Sequence, residues 1–393
     1  MVDLVKQAEI RRIGVVTVGR SDYGLYRPIL ERIMGEPTLQ LQLIVAGMHL
    51  APEWGLTVRM IEQEGWPIAE RVDCQLTSDR PEGIAVSMGM GTAGFARAYV
   101  RLRPDLLMVL GDRFEMHAAA VAAVPFTIPL AHIHGGEITE GATDNAWRHS
   151  LTKLSHLHFV STDEARRRVE QMGEESWRVI ISGAPSLDNL KTMRRLEQAE
   201  LEAQLGVRLD PPPLLVTYHP VTLEYAQAEW QVGELLGALT AYGRPVIFTQ
   251  SNADTNGHVI QRAIKAYVQH QPRSRLVENL GTQAYFSLMV HAAAMVGNSS
   301  SGIIEAPSLG LPVVNIGTRQ QGRLRAENVI DVGYRREEIL RGLEEALRPP
   351  FRQQLQGRPN PYGDGHASEM IVSRLREVVL DDRLLRKRFV ERA

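Results

Sequence analysis

Short apolar, β-branched runs alternate with amphipathic helical stretches along most of this chain, and that alternation restricts the fold more than any single motif. Ile13 to Val18, Leu39 to Ala46, Leu106 to Leu110, Pro129 to Ile133, Leu157 to Ser161 and Val179 to Ile181 each read as a strand buried on both faces. Between them the spacing predicts helices up to about Met34, then over Leu56 to Glu64, Pro81 to Arg103, Met116 to Ala123, Asp144 to Leu154 and Asp163 to Met172. Strands that each wait for a helix before the next strand are parallel, because an antiparallel pair needs only a tight turn. The pattern predicts a doubly wound α/β sheet.

A charged helix, Lys191 to Leu205, and the rigid Asp210-Pro211-Pro212-Pro213 interrupt the alternation, which places a hinge region between about Gly183 and Pro213. It then restarts. Leu214 to Thr217, Val246 to Thr249, a run near Leu276, Ala292 to Val296 and Pro312 to Ile316 read as strands. Helices are expected around Glu224 to Tyr242, Val259 to His270, Ala284 to His291 and Glu337 to Leu347. At 393 residues the chain exceeds what one core usually serves. The expectation is two Rossmann-like doubly wound domains, residues 1–185 and 186–365, facing across a cleft. The tail, 366–393, carries a helix over Ser368 to Leu380 that packs back on the first domain. In open α/β sheets ligands sit at the carboxyl ends of the strands.

Composition excludes several function classes. A net charge of -2 argues against nucleic acid as the main partner. One cysteine, Cys74, supports neither a disulfide framework nor a cysteine metal site. No apolar run reaches the length of a membrane span, and Met1 to Arg12 lacks the apolar core of a signal peptide, so a cytoplasmic protein is expected. No Gly-x-Gly-x-x-Gly follows the first strand, and no phosphate-binding Walker loop or Gly-x-Ser-x-Gly elbow is present. His132, His134 and Glu137 lack the helical spacing of a zinc protease site, so no metal and no cofactor are expected.

Polar clusters recur where predicted strands end: Arg20/Asp22, Asp112/Arg113/Glu115, His134/Glu137, His219, and the stretch from Ser299 to Glu305. Each has a structural reading beside the functional one. Arg20 and Asp22 read first as an exposed ion pair. Asp112 reads equally as a cap for the next helix, and His219 as a satisfied loop histidine. His132 alternates with His134 and should pack in the core. Asn298-Ser299-Ser300-Ser301-Gly302 ends a buried strand and opens a short helix with Glu305 one turn in. The plain reading is a capped helix; the functional one is an anion held by unpaired N–H groups. Five clusters on one edge favour a site. Asp112, Glu137 and Asp144 suit acid–base work, since carboxylates crowded in a partly dry site raise one another's pKa. Arg20, His219 and the serine turn would hold a diphosphate, with Arg323 and Arg325 near it.

The ordered set of motifs resembles the UDP-N-acetylglucosamine 2-epimerase family, in its hydrolysing branch that serves sialic- and legionaminic-type sugar synthesis. The resemblance rests on Arg20 to Gly24, Gly111 to Glu115, His132 to Glu137, Lys153 to Phe159, Thr217 to Thr222, Asn298 to Pro307 and Arg319 to Asn328, and spans about residues 12 to 380. It implies a GT-B arrangement and a two-step reaction without redox cofactor or metal. A base removes the sugar C2 proton as the nucleoside diphosphate leaves C1, and water then adds across the glycal to release the C2-inverted sugar. Asp112, Glu137 and Asp144 match the family's acid–base carboxylates, with Asp112 chosen as the C2 base. His219 matches its histidine near the leaving diphosphate. Arg20, Asp22, Arg113, His134, Asn252, Ser299, Ser300, Ser301, Gly302, Glu305 and Arg323 are placed as substrate- or nucleotide-holding residues. A homo-oligomer, dimer or tetramer, is also implied.

Two departures bear on the substrate. Gly19 stands directly before Arg20, where the family's first turn usually has a hydroxyl residue, and Asp144 is followed by Asn145 and Trp147. They leave open UDP-N-acetylglucosamine itself or a related 4-acetamido-6-deoxy sugar on UDP or GDP. A non-hydrolysing 2-epimerase, a GT-B glycosyltransferase and a catalytically inert nucleotide-sugar sensor remain alternatives.

Overall fold

The computed structural model describes residues 10–52, 55–74, 81–139, 144–249, 257–277 and 280–392. Two compact units divide them. The first runs to Glu137, continues from Asp144 to Asn189 and takes in the tail from Gly365; the second is built mainly from Leu190 to Asp364 and includes Ile138 and Thr139.

The first unit holds a parallel sheet of β1 (Arg11–Thr17), β2 (Leu39–Ala46), β3 (Ile68–Val72), β4 (Leu106–Leu110), β5 (Leu130–Ile133), β6 (Leu157–Val160) and β7 (Val179–Ile181). Their order is β3-β2-β1-β4-β5-β6-β7. Ile13 lies opposite Leu41 on one side and Leu106 on the other, so β1 is central and its apolar run is covered on both faces. Every residue of β4 is buried. Each such Leu, Ile or Val contributes on the order of 1.5–3 kcal/mol by leaving water. Chain order reverses between β1 and β4, which defines a switch point at the ends of those two strands.

The second unit repeats the plan. Its strands are β8 (Leu214–Thr217), β9 (Val246–Thr249), β10 (Ser274–Val277), β11 (Ala294–Gly297), β12 (Val313–Ile316) and β13 (Val329–Val332), ordered β10-β9-β8-β11-β12-β13 and parallel throughout. The switch point lies between β8 and β11.

Three expectations need correction. β3 and β13 were not anticipated; both lie at sheet edges, and their half-exposed residues dilute the apolar signal. The helix expected over Lys191 to Leu205 is two helices, Ser186–Thr192 and Gln198–Leu205. Glu197 and Glu200 form a capping box that starts the second one afresh. The helix expected from Glu224 begins as a 3-10 turn, Thr222–Gln227, before Ala228–Tyr242. In the long helix Pro81–Leu102, Gly94 and Gly91 lie where an added Cβ would crowd Val72 and Cys74, so these glycines serve close packing.

The tail belongs to the first unit. The helix Ala367–Glu377 starts against Asp188, which accepts from the backbone N–H of Ala367 (2.9 Å) and of Ser368 (2.7 Å). Beyond it, fully buried Arg178 donates to the carbonyls of Leu384 and Arg383, each at 2.8 Å. Buried Glu174 gathers Lys153 (2.6 Å), Lys387 (2.9 Å) and His158 (3.2 Å). Burial alone would raise its carboxyl, yet the hydrogen bond from His158 and the two ammonium groups hold it down to about 2.

Candidate active site

At the end of β1 the chain enters the helix Arg20–Gly35, and Asp22 in its first turn folds back over the strand end. Its Oδ2 accepts from the backbone N–H of Val18 and from the Thr17 hydroxyl, both at 2.8 Å. Having donated to Asp22, Thr17 is left to accept from His49 Nε2 (3.0 Å), and His49 Nδ1 lies 2.7 Å from the Thr57 hydroxyl. A neutral imidazole with its proton on Nε2 satisfies both contacts. Burial agrees, lowering His49 to about 4 with help from Arg113. Burial also lifts Asp22 to about 6, against its hydrogen bonds and the nearby Arg113 charge. The exposed Arg20–Asp22 pair expected from sequence is therefore not formed. Arg20 is exposed, whereas Asp22 is 3% exposed and spends its carboxylate on backbone and hydroxyl donors.

At the other side of the switch point, β4 ends in Gly111-Asp112-Arg113. Asp112 does not cap the helix Phe114–Ala123; its N-cap is Arg113, without a side-chain cap. Asp112 Oδ2 instead pairs with Arg148 Nη2. Arg148 is 2% exposed, and its Nη1 also donates to the Glu137 carbonyl (2.9 Å). One guanidinium thus ties the loop after β4 to the loop after β5. Arg113 lies beside buried Glu115, Nε to Oε2 3.3 Å.

β5 runs into His134, whose φ of +65° is unusual for a side-chain-bearing residue, and then Gly136 at φ +75°. A Cβ on Gly136 would overlap the Ala165 carbonyl, so this sharp turn requires glycine. The turn brings His134 Nδ1 within 2.6 Å of Glu137 Oε1, which also accepts from Ser161 (2.7 Å). His132 faces the core as expected. It is fully buried, lies 2.8 Å from the Gly111 carbonyl, and is lowered to about 3 by burial. Asp112 and Glu137 are thus each held by donors from elsewhere in the fold. Asp144 and Asn145 open the helix Asp144–Leu154 one turn before Arg148, and Asn145 Oδ1 lies 3.5 Å from Arg148 Nη1.

In the second unit, Asn298 clamps the switch point. Its side chain accepts from His219 N (2.7 Å) and donates to His219 O (2.8 Å), while its carbonyl receives Arg319 (3.0 Å) and Gln320 (2.8 Å). Gly297, at φ +130°, lets the strand pass where any Cβ would overlap the Thr217 carbonyl. His219 is buried, which keeps its pKa well below the ordinary value, with Arg319 adding to the effect. The helix after the serine turn is only Ser301–Ile304. Its N-cap is Ser300, without a side-chain cap, and Ser299 Oγ accepts from Ser301 N at 3.3 Å. Buried Glu305 stands at the end of this helix rather than inside it. Gly302 packs against Val313. Arg323 Nε donates to the Ile138 carbonyl (3.2 Å). Asn252 lies outside the described residues.

Sequence reasoning missed Arg148, Ser161 and Tyr285. Arg148 follows Asp144 by four residues on an amphipathic helix, a spacing that places both on one face. Burial raises the Tyr285 hydroxyl to about 12, with the Glu305 charge adding to the rise and the Ser301, Thr217 and Ser299 hydroxyls opposing it.

Two Rossmann-ordered parallel sheets, each with polar groups at its switch point, define a GT-B-like two-domain α/β protein. A solved UDP-GlcNAc 2-epimerase from Neisseria meningitidis bound to UDP-GlcNAc shares this fold, with a TM-score of 0.80 at 19% identity over 93% of this chain and 99% of that one. Glycyrrhiza uralensis UGT73P12 shares it more loosely, with a TM-score of 0.61 at 11% identity, over 93% and 95%. The signature of the UDP-N-acetylglucosamine 2-epimerase family matches residues 31–376, and the chain belongs to that family. It is 41% identical to the GDP/UDP-N,N'-diacetylbacillosamine 2-epimerase (hydrolyzing) of Campylobacter jejuni, over 82% of this chain and 84% of that protein. It is 37% identical to the UDP-N,N'-diacetylbacillosamine 2-epimerase (hydrolyzing) of Legionella pneumophila, over 96% and 99%. Identity to the UDP-N-acetylglucosamine 2-epimerase of N. meningitidis serogroup B is 30%, over 86% and 88%. Among the described residues no helix is long and apolar enough to cross a membrane.

Proposed function

We propose that this chain is a hydrolysing nucleotide-sugar 2-epimerase acting on a UDP- or GDP-linked N,N'-diacetylbacillosamine, a 2,4-diacetamido-6-deoxy sugar. What supports this choice of sugar most is the gradient of identity, 41% and 37% to two hydrolysing enzymes of that sugar against 30% to an enzyme of UDP-N-acetylglucosamine.

In the first step a carboxylate takes the C2 proton. The C2–H electron pair becomes the C1=C2 bond, and the C1–O bond breaks with its pair leaving on the nucleoside diphosphate. In the second step water oxygen bonds to C1 and a proton is delivered to the opposite face of C2, which frees the inverted sugar. Asp112 is the C2 base. Its side chain is 25% exposed, and the Arg148 guanidinium fixes its direction, whereas Glu137 is 8% exposed and held by His134 and Ser161. A base must reach the proton it removes. Glu137 and Asp144 serve the return of water and proton. Neutral His219 and the backbone of the serine turn take the departing diphosphate, where charge develops as C1–O breaks.

The test is incubation with UDP- and GDP-linked diacetylbacillosamine and with UDP-N-acetylglucosamine, followed by chromatography. The expected result is free C2-inverted diacetamido sugar in step with free nucleoside diphosphate, lowered by about 10²–10⁴ in Asp112→Asn. Preferred turnover of UDP-N-acetylglucosamine would contradict the sugar assignment, and a parent-like rate in Asp112→Asn the assignment of the base.

A further inference from the structure

Asp144, Trp147 and Arg148 stand at i, i+3 and i+4 of one helix, so they share the face of its first turns. Arg148 uses that face to hold Asp112. Trp147, beside it, meets the ring of His117 at 5.1 Å between centroids and 57° between planes. His117 stands one turn into the helix Phe114–Ala123, which begins two residues after Asp112; its backbone N–H bonds the Arg113 carbonyl at 3.0 Å. The two rings therefore bridge the starts of the helices that present Asp112 and Asp144. His117 Nε2 lies 2.8 Å from Ser150 Oγ, which links the imidazole back to the Trp147 helix. Burial lowers the His117 pKa, which favours a neutral ring in the stack. Trp147 is half-buried, and its indole N–H has no hydrogen-bond partner among the described residues.

We infer that Trp147, backed by His117, is the specificity-determining wall for the C4–C6 edge of the sugar, and that it selects a 4-acetamido-6-deoxy donor over a 4,6-dihydroxy one. This rests on the 2-epimerase reading above. The chemistry follows from what each sugar brings to an indole. A C6 methyl and an acetamido methyl lie on an aromatic face without losing hydrogen bonds, and the indole N–H offers a donor to the acetamido carbonyl. Of the two hydroxyls of an N-acetylglucosamine donor, one at most can accept from the indole N–H, and the other would lose water there and gain no partner. Discrimination of this kind is worth roughly tenfold to a few hundredfold in kcat/KM.

The experiment measures kcat/KM for nucleoside diphosphate release from UDP-linked diacetylbacillosamine and from UDP-N-acetylglucosamine, in the parent, Trp147→Ile and Trp147→Phe. The expected result is a preference for the diacetamido donor that falls at least about tenfold in Trp147→Ile. The loss should be confined to that donor, and Trp147→Phe, which keeps a ring and most of the volume, should retain most of the preference. An equal fall for both donors in both variants would make Trp147 a packing residue and overturn the inference, as would an unchanged ratio. A parent that releases nucleoside diphosphate from neither donor contradicts the 2-epimerase reading and this inference with it. A parent that prefers UDP-N-acetylglucosamine overturns the selection argued here and leaves the 2-epimerase chemistry standing.

Discussion

Asp22 shows how one side chain can be misread when only its neighbours in sequence are known. Arg20 lies two residues away and suggests a surface pair, but the first turn of the helix carries Asp22 inward to Val18 N and Thr17. A carboxyl raised from 3.8 to about 6 makes a signed prediction. Its folded-state pKa lies above the unfolded one, so the contribution is fully present below pH 4 and is lost as pH rises through 6. Relative to Asp22→Asn, the parent should lose roughly 2 kcal/mol of unfolding free energy between pH 4 and 7, at about 1.4 kcal/mol per pKa unit. Urea unfolding of both proteins across that range measures it; parallel stability curves would show that Asp22 does not titrate there. The candidate residues were legible from sequence because strand ends carry polar clusters. Their partners were not. Arg148 reaches Asp112 from 36 positions away, and Ser161 reaches Glu137 from 24, and no local pattern announces either contact.

At the scale of elements, strands buried on both faces were readable nearly to the residue, since β2, β4, β8 and β9 have the limits that their apolar runs suggest. The half-exposed edge strands β3 and β13 were not, because a strand with polar neighbours on one face has no uninterrupted apolar run. The tail helix was visible as a helix, but its anchor was hidden. Asp188 caps Ala367–Glu377 from 179 positions earlier in the chain, while the residue at the N-cap, His366, makes no side-chain cap. Removing that carboxylate leaves buried N–H groups without an acceptor. Asp188→Ala should lower unfolding free energy by roughly 2–4 kcal/mol, combining a lost cap with unsatisfied donors. It should also speed amide exchange over residues 367–377 while leaving β8 to β13 protected. Unchanged exchange in the tail helix would show that its other contacts, such as Arg32 to Ser368 and the packing of Ile371 and Leu375, hold it without Asp188.

At the scale of the molecule, the two units differ in the chemistry of their strand ends. The first presents carboxylates held by Arg148, His134 and Ser161; the second presents neutral His219, the Asn298 clamp and a turn of small hydroxyl residues. The proposed reaction calls for both kinds of group, carboxylates for proton transfer and neutral donors for a departing diphosphate. The central claim is that C2 loses its proton to the enzyme and regains one from solvent while the sugar leaves its nucleotide. Turnover of the UDP-linked diacetamido sugar in D₂O, with mass spectrometry and proton NMR of the product, tests it directly. The account predicts free sugar with inverted C2 and one deuterium at that carbon in every molecule released, formed one for one with UDP. Product that keeps its original C2 hydrogen, or an inverted sugar still bonded to UDP, would contradict it.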